Sequence, residues 1–150
     1  MRKLVSILAL GALSALAFAS LSAARPAAAH FRLTATLNAG QEIPKQVVKN
    51  QAAHGTFTGA LTGTTLKWKL TFAKLTGSAT AAHIHLGGMG KAGNVIVPLC
   101  NPCTSGMTGT ATISGSLLKT IQKHGTYVNV HTAKNPNGEI RGQLVARAGM

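Results

Sequence analysis

The sequence predicts an all-β domain, either an antiparallel Greek-key sandwich or a partly closed barrel of about eight strands, with one short helix. Two observations carry this prediction. Several segments alternate apolar and polar residues, which is the pattern of a strand with one buried face. Glycine-rich or Asn-Gly stretches separate these segments, as expected for turns between short strands.

The two clearest strands are residues 31–37 and 66–72. Each alternates strictly, so each places a row of apolar side chains on one face. The predicted inward residues are Phe31, Leu33, Ala35 and Leu37 in the first strand, and Leu66, Trp68, Leu70 and Phe72 in the second. Further strands are expected at residues 54–61, 80–85, 95–99, 108–114, 127–131 and 139–145.

One helix is predicted at residues 117–123. Ser116 is a suitable N-cap, and Gly125 stands just past the expected C-terminus. Leu117, Leu118 and Ile121 would form its inward side.

Residues 1–29 have the features of a signal peptide. A short basic start is followed by an apolar run and by small-residue cleavage sites. The uncharged run extends to Ala24 and is about long enough to span a bilayer, but its later half is rich in serine and alanine. We therefore expect export to the periplasm or the exterior, no lasting membrane span, and one mature domain at residues 30–150.

Cys100 and Cys103 are the only cysteines, and they fit an exported protein with one disulfide. A reactive CxxC redox pair is the alternative, but such motifs normally open a helix. Pro98 and Pro102 favour a loop here, so a small structural disulfide is the preferred interpretation.

The charge is strongly one-sided, with fifteen lysines and arginines against two acidic residues and a net charge of +13. Such a surface attracts acidic polymers or anionic components of the cell envelope. The lysines are scattered, and few aromatic residues are available for base stacking. Specific nucleic-acid binding is therefore not expected.

Three histidines lie in strand-like contexts and are candidate metal ligands. His83 and His85 share one face of their strand because they are two residues apart. Residues Tyr127, Asn129 and His131 share one face of another strand. If the two strands are neighbours, His83, His85 and His131 could bind copper or zinc, for which three imidazoles are a common ligand set. The alternative is a polar patch without a metal.

The turn-rich residues 134–138 predict a hairpin between the strand of His131 and the strand that follows. That hairpin places His131 opposite Glu139 or Arg141. A carboxylate there could orient the imidazole or pair with the arginine, so both residues are candidates for supporting the metal site. For Glu42, the other acid, we expect a buried ion pair with Arg141 or a hydrogen bond that clamps its loop. No catalytic pair of carboxylates or activated nucleophile is identified.

In order along the chain, the residues resemble a chordin-type (CHRD) domain. The motifs are Leu37-Asn-Ala-Gly-Gln-Glu42-Ile-Pro44, Ala53-His-Gly55-Thr-Phe57, Ala82-His83-Ile84-His85, Val95-Ile-Val-Pro-Leu99, Tyr127-Val-Asn-Val-His131-Thr and Asn135-Pro-Asn-Gly-Glu139-Ile-Arg141-Gly. The resemblance covers essentially the whole mature chain. It implies an exported all-β domain, found alone in microbes and as repeats in an animal extracellular regulator, and it implies no defined chemistry.

A fainter similarity links His83-Ile-His85 and the later Val-x-Val-His131 to the copper-ligand strands of copper/zinc superoxide dismutase. The similarity implies that His83, His85 and His131 match copper ligands. However, the chain contains no Asp for a zinc site and no convincing bridging histidine, so dismutase activity is not expected.

Together these observations favour an exported, non-catalytic binding module with a possible copper or zinc site. One alternative is a cationic envelope adhesion protein that binds acidic polymers without a metal. A second alternative is a copper-dependent redox enzyme.

Overall fold

The computed structural model describes residues 30–44 and 51–149. The predicted signal peptide lies outside these residues. Within them the chain forms nine strands, one α-helix and one 3-10 turn. The strands are β1 (His30–Asn38), β2 (His54–Thr62), β3 (Thr65–Ala73), β4 (Ala79–Leu86), β5 (Val95–Cys100), β6 (Thr108–Thr112), β7 (Thr126–Thr132), β8 (Ile140–Gln143) and β9 (Val145–Ala148); the helix α1 is Gly115–Gln122 and the 3-10 turn is Ala39–Gln41.

The strands form one antiparallel sheet in the order β5-β4-β7-β8-β1-β2-β3-β6, with β9 also paired to β1. The sheet curls so that the two edge strands, β5 and β6, approach each other. Curling into a nearly closed barrel gives the inward face of every strand a common core. The predicted all-β, partly closed barrel is confirmed.

The core is built from the inward rows of the alternating strands. In β1, Leu33, Ala35 and Leu37 are buried, and in β3 the buried residues are Leu66, Trp68 and Leu70, as the alternation predicted. Phe31 and Phe72, at the outer ends of these rows, are partly buried. Each fully buried leucine stabilises the fold by about 1.5–3 kcal/mol through removal of its apolar surface from water.

The single strand predicted at residues 139–145 is two strands in the structure. Leu144 leaves the ladder between β8 and β9, where its side chain is fully buried and its N–H donates to Thr126 O at 3.0 Å. After this break, β9 pairs with the first half of β1, while β8 meets β1 only at its far end, where Arg141 lies opposite Asn38. The burial of the Leu144 side chain in the core therefore interrupts the strand at this residue.

The helix begins earlier than predicted, at Gly115, and its N-cap is Ser114 rather than Ser116. The Ser114 hydroxyl accepts a hydrogen bond from Leu117 N–H at 3.2 Å, which satisfies one of the free donors of the first turn. The prediction of Ser116 as the N-cap was wrong, because Ser114 lies two residues earlier and serine is a suitable cap at either position.

In the described part of the chain, no helix combines the length and apolarity that a membrane crossing requires.

Candidate metal centre

β4 and β7 are neighbouring antiparallel strands, although 48 residues separate His83 from His131. In the register, His83 lies opposite Asn129, His85 opposite Tyr127, and Ala81 opposite His131. The three histidines therefore stand on the same face of two adjacent strands. The hypothesis that these strands are neighbours is confirmed.

The three imidazoles converge on one point. One nitrogen from each of His83, His85 and His131 lies within 4.8 Å of a nitrogen of the other two rings. The closest pair is His83 Nδ1 and His131 Nε2, at 3.2 Å. Ring centroids are 5.0–5.7 Å apart for the three pairs.

Backbone carbonyls fix the orientation of two of the rings. His85 Nδ1 lies 3.0 Å from Gly93 O, and His131 Nδ1 lies 3.0 Å from Pro136 O. A carbonyl can only accept, so each Nδ1 carries the proton and each Nε2 keeps its lone pair. For His85 this Nε2 is buried and has no hydrogen-bond partner among the residues that the structure describes. A buried acceptor without a partner, aimed at two other imidazoles, is the arrangement that a cation would satisfy.

The environment also holds the rings in their neutral form. Burial lowers the pKa of His131 to about 4, against the opposing effect of its bond to Pro136 O. Burial lowers the pKa of His83 as well, with a further contribution from His85. For His85, burial again lowers the pKa, and Arg141 adds to this effect. At neutral pH the three imidazoles are in the neutral form, in which each ring keeps one nitrogen lone pair free to bind a metal.

The spacing of the nitrogens can be compared with that of a metal site that has imidazole ligands. Bonds of about 2.0–2.1 Å place two ligand nitrogens about 3.4 Å apart in a tetrahedral site. The His83–His131 pair already has this spacing. The upper limit of the three nitrogen–nitrogen distances, 4.8 Å, would have to shorten by roughly 1.4 Å on binding, which side-chain rotations can supply. Bound there, the metal would serve as a Lewis acid or as a bridge to an external ligand.

A glycine-rich loop, residues 87–94, packs on the Tyr127 end of the histidine face of β7, where Gly93 N–H donates to the Tyr127 hydroxyl at 3.3 Å. All seven residues of β7 are buried, on both faces of the strand. Side chains of the sheet hold this loop by its main-chain carbonyls. Arg141 donates to Gly88 O and Lys91 O at 3.0 and 2.8 Å, and Gln143 donates to Gly87 O at 3.0 Å.

Arg141 also joins the loop to the metal-ligand candidates. Its guanidinium carbon lies 3.4 Å from the centroid of the Tyr127 ring, a cation–π contact. Tyr127 in turn stacks on His85, with ring centroids 4.9 Å apart and an interplanar angle of 12°. Arg141 therefore connects to the histidines through Tyr127 and the loop carbonyls rather than through a direct bond to a histidine.

Glu139 supports the site in a different way from the one predicted. Its carboxylate accepts hydrogen bonds from Thr76 N–H at 2.5 Å, from Thr132 Oγ1 at 2.6 Å and from Asn135 Nδ2 at 3.0 Å. His131 is oriented instead by Pro136 O. The carboxylate holds the turn that carries this carbonyl, because Thr132 and Asn135 belong to the same turn.

Glu42 lies at the end of the 3-10 turn and is 1 % exposed. Burial raises its pKa to about 7, although Arg141 and a hydrogen bond from Asn129 act in the opposite direction. The Asn129 Nδ2–Glu42 Oε2 distance is 3.5 Å, and within residues 30–44 and 51–149 Glu42 Oε1 has no hydrogen-bond partner. Gly138 packs directly behind this pair, since a Cβ there would lie 2.7 Å from Glu42 Oε2. Of the two expected interactions, the ion pair with Arg141 is not formed in the described part of the chain, whereas a hydrogen bond from Asn129 is present.

A disulfide joins Cys100 and Cys103 at the end of β5. Cys100 pairs with Ala82 in the sheet, and Cys103 N–H donates to Ala79 O at 3.1 Å. The disulfide thus ties the loop after β5 to β4, the strand that carries His83 and His85.

Sequence reasoning missed the groups that orient the histidines. Two of them, Gly93 O and Pro136 O, are main-chain atoms, which leave no residue-type signal. Thr76 donates to Glu139 from 63 residues away, so no local motif connects them. One neighbour of the histidines could have been predicted from the sequence. Strand parity places Tyr127 on the same face as Asn129 and His131, so its ring was a candidate contact of the site.

Comparison with known proteins gives one family. None of the curated proteins and none of the solved structures has a significant match to the chain, so the similarity to superoxide dismutase gains no support beyond the three histidines. The family model described as the CHRD domain matches residues 33–144, a span that runs from β1 to the residue after β8 and includes all three histidines. The chain belongs to the CHRD domain family.

Proposed function

We propose that this protein is an exported binding module that holds a copper or zinc ion on His83, His85 and His131. The observation that carries the proposal is the convergence of three imidazole nitrogens within 4.8 Å. The buried lone pair of His85 Nε2, which has no other partner, supports it. Hydrogen bonds to the carbonyls of Gly93 and Pro136 set two of the rings for binding before any metal arrives.

The site is also reachable from solvent. His83 is half-buried, whereas His85 and His131 are buried. An ion held by the three rings would therefore have an open side toward solvent next to His83. Three protein ligands with one open position leave room for water or for a group supplied by a binding partner.

Export is the second half of the proposal. CHRD domains occur in extracellular proteins, and residues 1–29 have the composition of a signal peptide. The Cys100–Cys103 disulfide is suited to an oxidising compartment. Fractionation of cells that express the full chain, with mass spectrometry of the N-terminus, would test export. Recovery of the uncleaved chain in the cytosol would contradict it.

The metal site can be tested with a control that the chain itself provides. Six histidines are present, and three of them, His30, His54 and His124, are exposed and lie outside the candidate site. The test is a calorimetric titration with Zn²⁺ and Cu²⁺ of three proteins: the parent, the site variant H83A/H85A/H131A and the control variant H30A/H54A/H124A.

The parent and the control variant should each bind one ion, and the site variant should lose roughly 100-fold or more in affinity. Thermal melts of the apo proteins would show that the site variant is folded, and H83A alone provides a milder change at a half-buried position. Equal binding by the two triple variants would overturn the proposal. The ratio of the Zn²⁺ and Cu²⁺ affinities would identify the preferred metal.

A further inference from the structure

A strongly basic face lies on a different part of the sheet from the histidines. The register of β9, β1, β2 and β3 places Arg147 opposite Arg32, Arg32 opposite Ala60, and Ala60 opposite Lys67. Lys69 follows two residues after Lys67 on the same face. We call Arg32, Lys67, Lys69 and Arg147 the basic face; all four are exposed.

The dimensions of this face follow from strand geometry. Neighbouring strands are about 4.8 Å apart and residues two apart along a strand are about 6.8 Å apart. Arg32 and Lys67 are therefore separated by roughly 10 Å at the backbone, and Lys67 and Lys69 by roughly 7 Å. Four cationic side chains share an area that is four strands wide.

No acidic side chain among the described residues neutralises this face. The chain has only two acidic side chains, Glu42 and Glu139, and both are buried and hydrogen-bonded to residues of β7. Most basic surfaces on proteins are interspersed with carboxylates, which reduce their potential. Here the positive potential is uncompensated by any side chain and extends into solvent.

A shallow groove of about 760 Å³ runs over the same strands. Its lining includes Arg32, Lys67 and Lys69, and between them stand the small side chains Thr58, Ala60 and Thr110. Small residues between the cations keep the floor of the groove low. Threonine hydroxyls there can donate to and accept from the hydroxyl groups of a sugar.

We propose that this groove binds a linear acidic polysaccharide through its carboxylate groups. The chemistry of the groove favours this partner over two others. A membrane surface would require exposed large apolar residues beside the cations, but in the described chain these are Leu86, Met89 and Val95, all near the histidine side. Single-stranded nucleic acid requires exposed aromatic rings, whereas Trp68 is only 5 % exposed and Phe31 is partly buried.

The test compares two variants of equal net charge. R32Q/K67Q/K69Q removes three cations from the groove, and K119Q/K123Q/K134Q removes three exposed cations elsewhere. Binding to fluorescein-labelled polygalacturonate oligomers is measured by fluorescence polarisation at several salt concentrations, with the full chain as parent. All six substituted side chains are exposed, so melting temperatures should stay close to that of the parent.

The groove variant should bind roughly tenfold or more weakly, and its affinity should depend less steeply on salt, because fewer counterions are exchanged. The control variant should stay within about threefold of the parent. Equal losses in both variants would show that only overall charge matters and would overturn the proposal. Equal or tighter parent binding to single-stranded oligonucleotides or to anionic vesicles would also overturn it. The result is independent of the metal site, since no histidine of that site is changed.

Discussion

The two acidic side chains of this protein are both buried, but their surroundings differ. Glu139 is surrounded by donors: Thr76, Thr132 and Asn135 hydrogen-bond its carboxylate. Burial alone would raise the pKa of Glu139, yet these hydrogen bonds outweigh burial and lower it. In the described part of the chain, Glu42 has one long hydrogen bond and an oxygen with no partner, so burial dominates and its pKa rises to about 7.

The comparison shows that burial does not by itself determine the state of a carboxylate. The number of donors within hydrogen-bond distance decides whether the charged form is stabilised. Glu139 is charged at neutral pH and holds a turn together. Glu42 is close to half-protonated at neutral pH and changes charge in the physiological range.

The largest effect on stability is expected when glutamine replaces each of the two acidic residues in turn. E139Q should lower the free energy of unfolding by about 3–5 kcal/mol, because an amide cannot accept all the hydrogen bonds and its NH₂ group faces other donors. E42Q at neutral pH should cost far less, since the neutral amide resembles protonated Glu42. Urea denaturation of both variants measures the difference. Comparable losses at the two positions would contradict the contrast drawn above.

The pH dependence of stability sharpens the comparison. The pKa of Glu42 is raised from 4.5 to about 7 on folding. Its contribution to stability is therefore complete below about pH 4.5 and is lost as the pH rises through 7. Relative to E42Q, the parent should lose up to about 3 kcal/mol of unfolding free energy between pH 4.5 and pH 8.

His131 acts in the opposite direction, because its pKa is lowered on folding from 6.5 to about 4. Its contribution is present above pH 6.5 and is lost as the pH falls toward 4. The parent and E42Q share this effect, so subtracting one stability curve from the other isolates Glu42. Parallel curves would show that Glu42 keeps an ordinary pKa.

The smallest effect is expected from two threonines of β7, Thr126 and Thr132, which are both fully buried. The Thr132 hydroxyl donates to Glu139 at 2.6 Å, whereas the Thr126 hydroxyl has no hydrogen-bond partner. T132V should cost about 1–2 kcal/mol of unfolding free energy, and T126V should be neutral or slightly stabilising. Thermal denaturation of the two variants at one pH compares them. A larger loss for T126V would reverse the assignment of which hydroxyl stabilises the fold.

Sequence reasoning succeeded where the signal was local. Alternation in residues 31–37 and 66–72 gave the correct buried rows, and parity placed Tyr127, Asn129 and His131 on one face. The motifs along the chain also predicted the CHRD domain family correctly. These features depend on neighbours in the chain, which the sequence displays directly.

The rest depended on contacts between distant residues or on main-chain atoms. Nothing near His83 specifies that β7 lies beside it, and Asn129 meets Glu42 from 87 residues away. The polar face of β7 was expected to form a metal site or a polar patch, and every residue of β7 is buried. The anchors of the loop at residues 87–94 could not be predicted from sequence, because its carbonyl groups rather than its side chains make the bonds.

The loop at residues 87–94 is held by the carbonyl groups of Gly87, Gly88, Lys91 and Gly93. Every amino acid has a carbonyl, so these anchors survive most changes of side chain, provided that the backbone keeps its path. Gly87 and Gly93 are exceptions, because a side chain at either position would clash with neighbouring backbone atoms. Met89, at 86 % exposed, is free to vary. Homologues can therefore diversify the loop tip, and a fluorophore attached there would report on the loop while leaving its anchors intact.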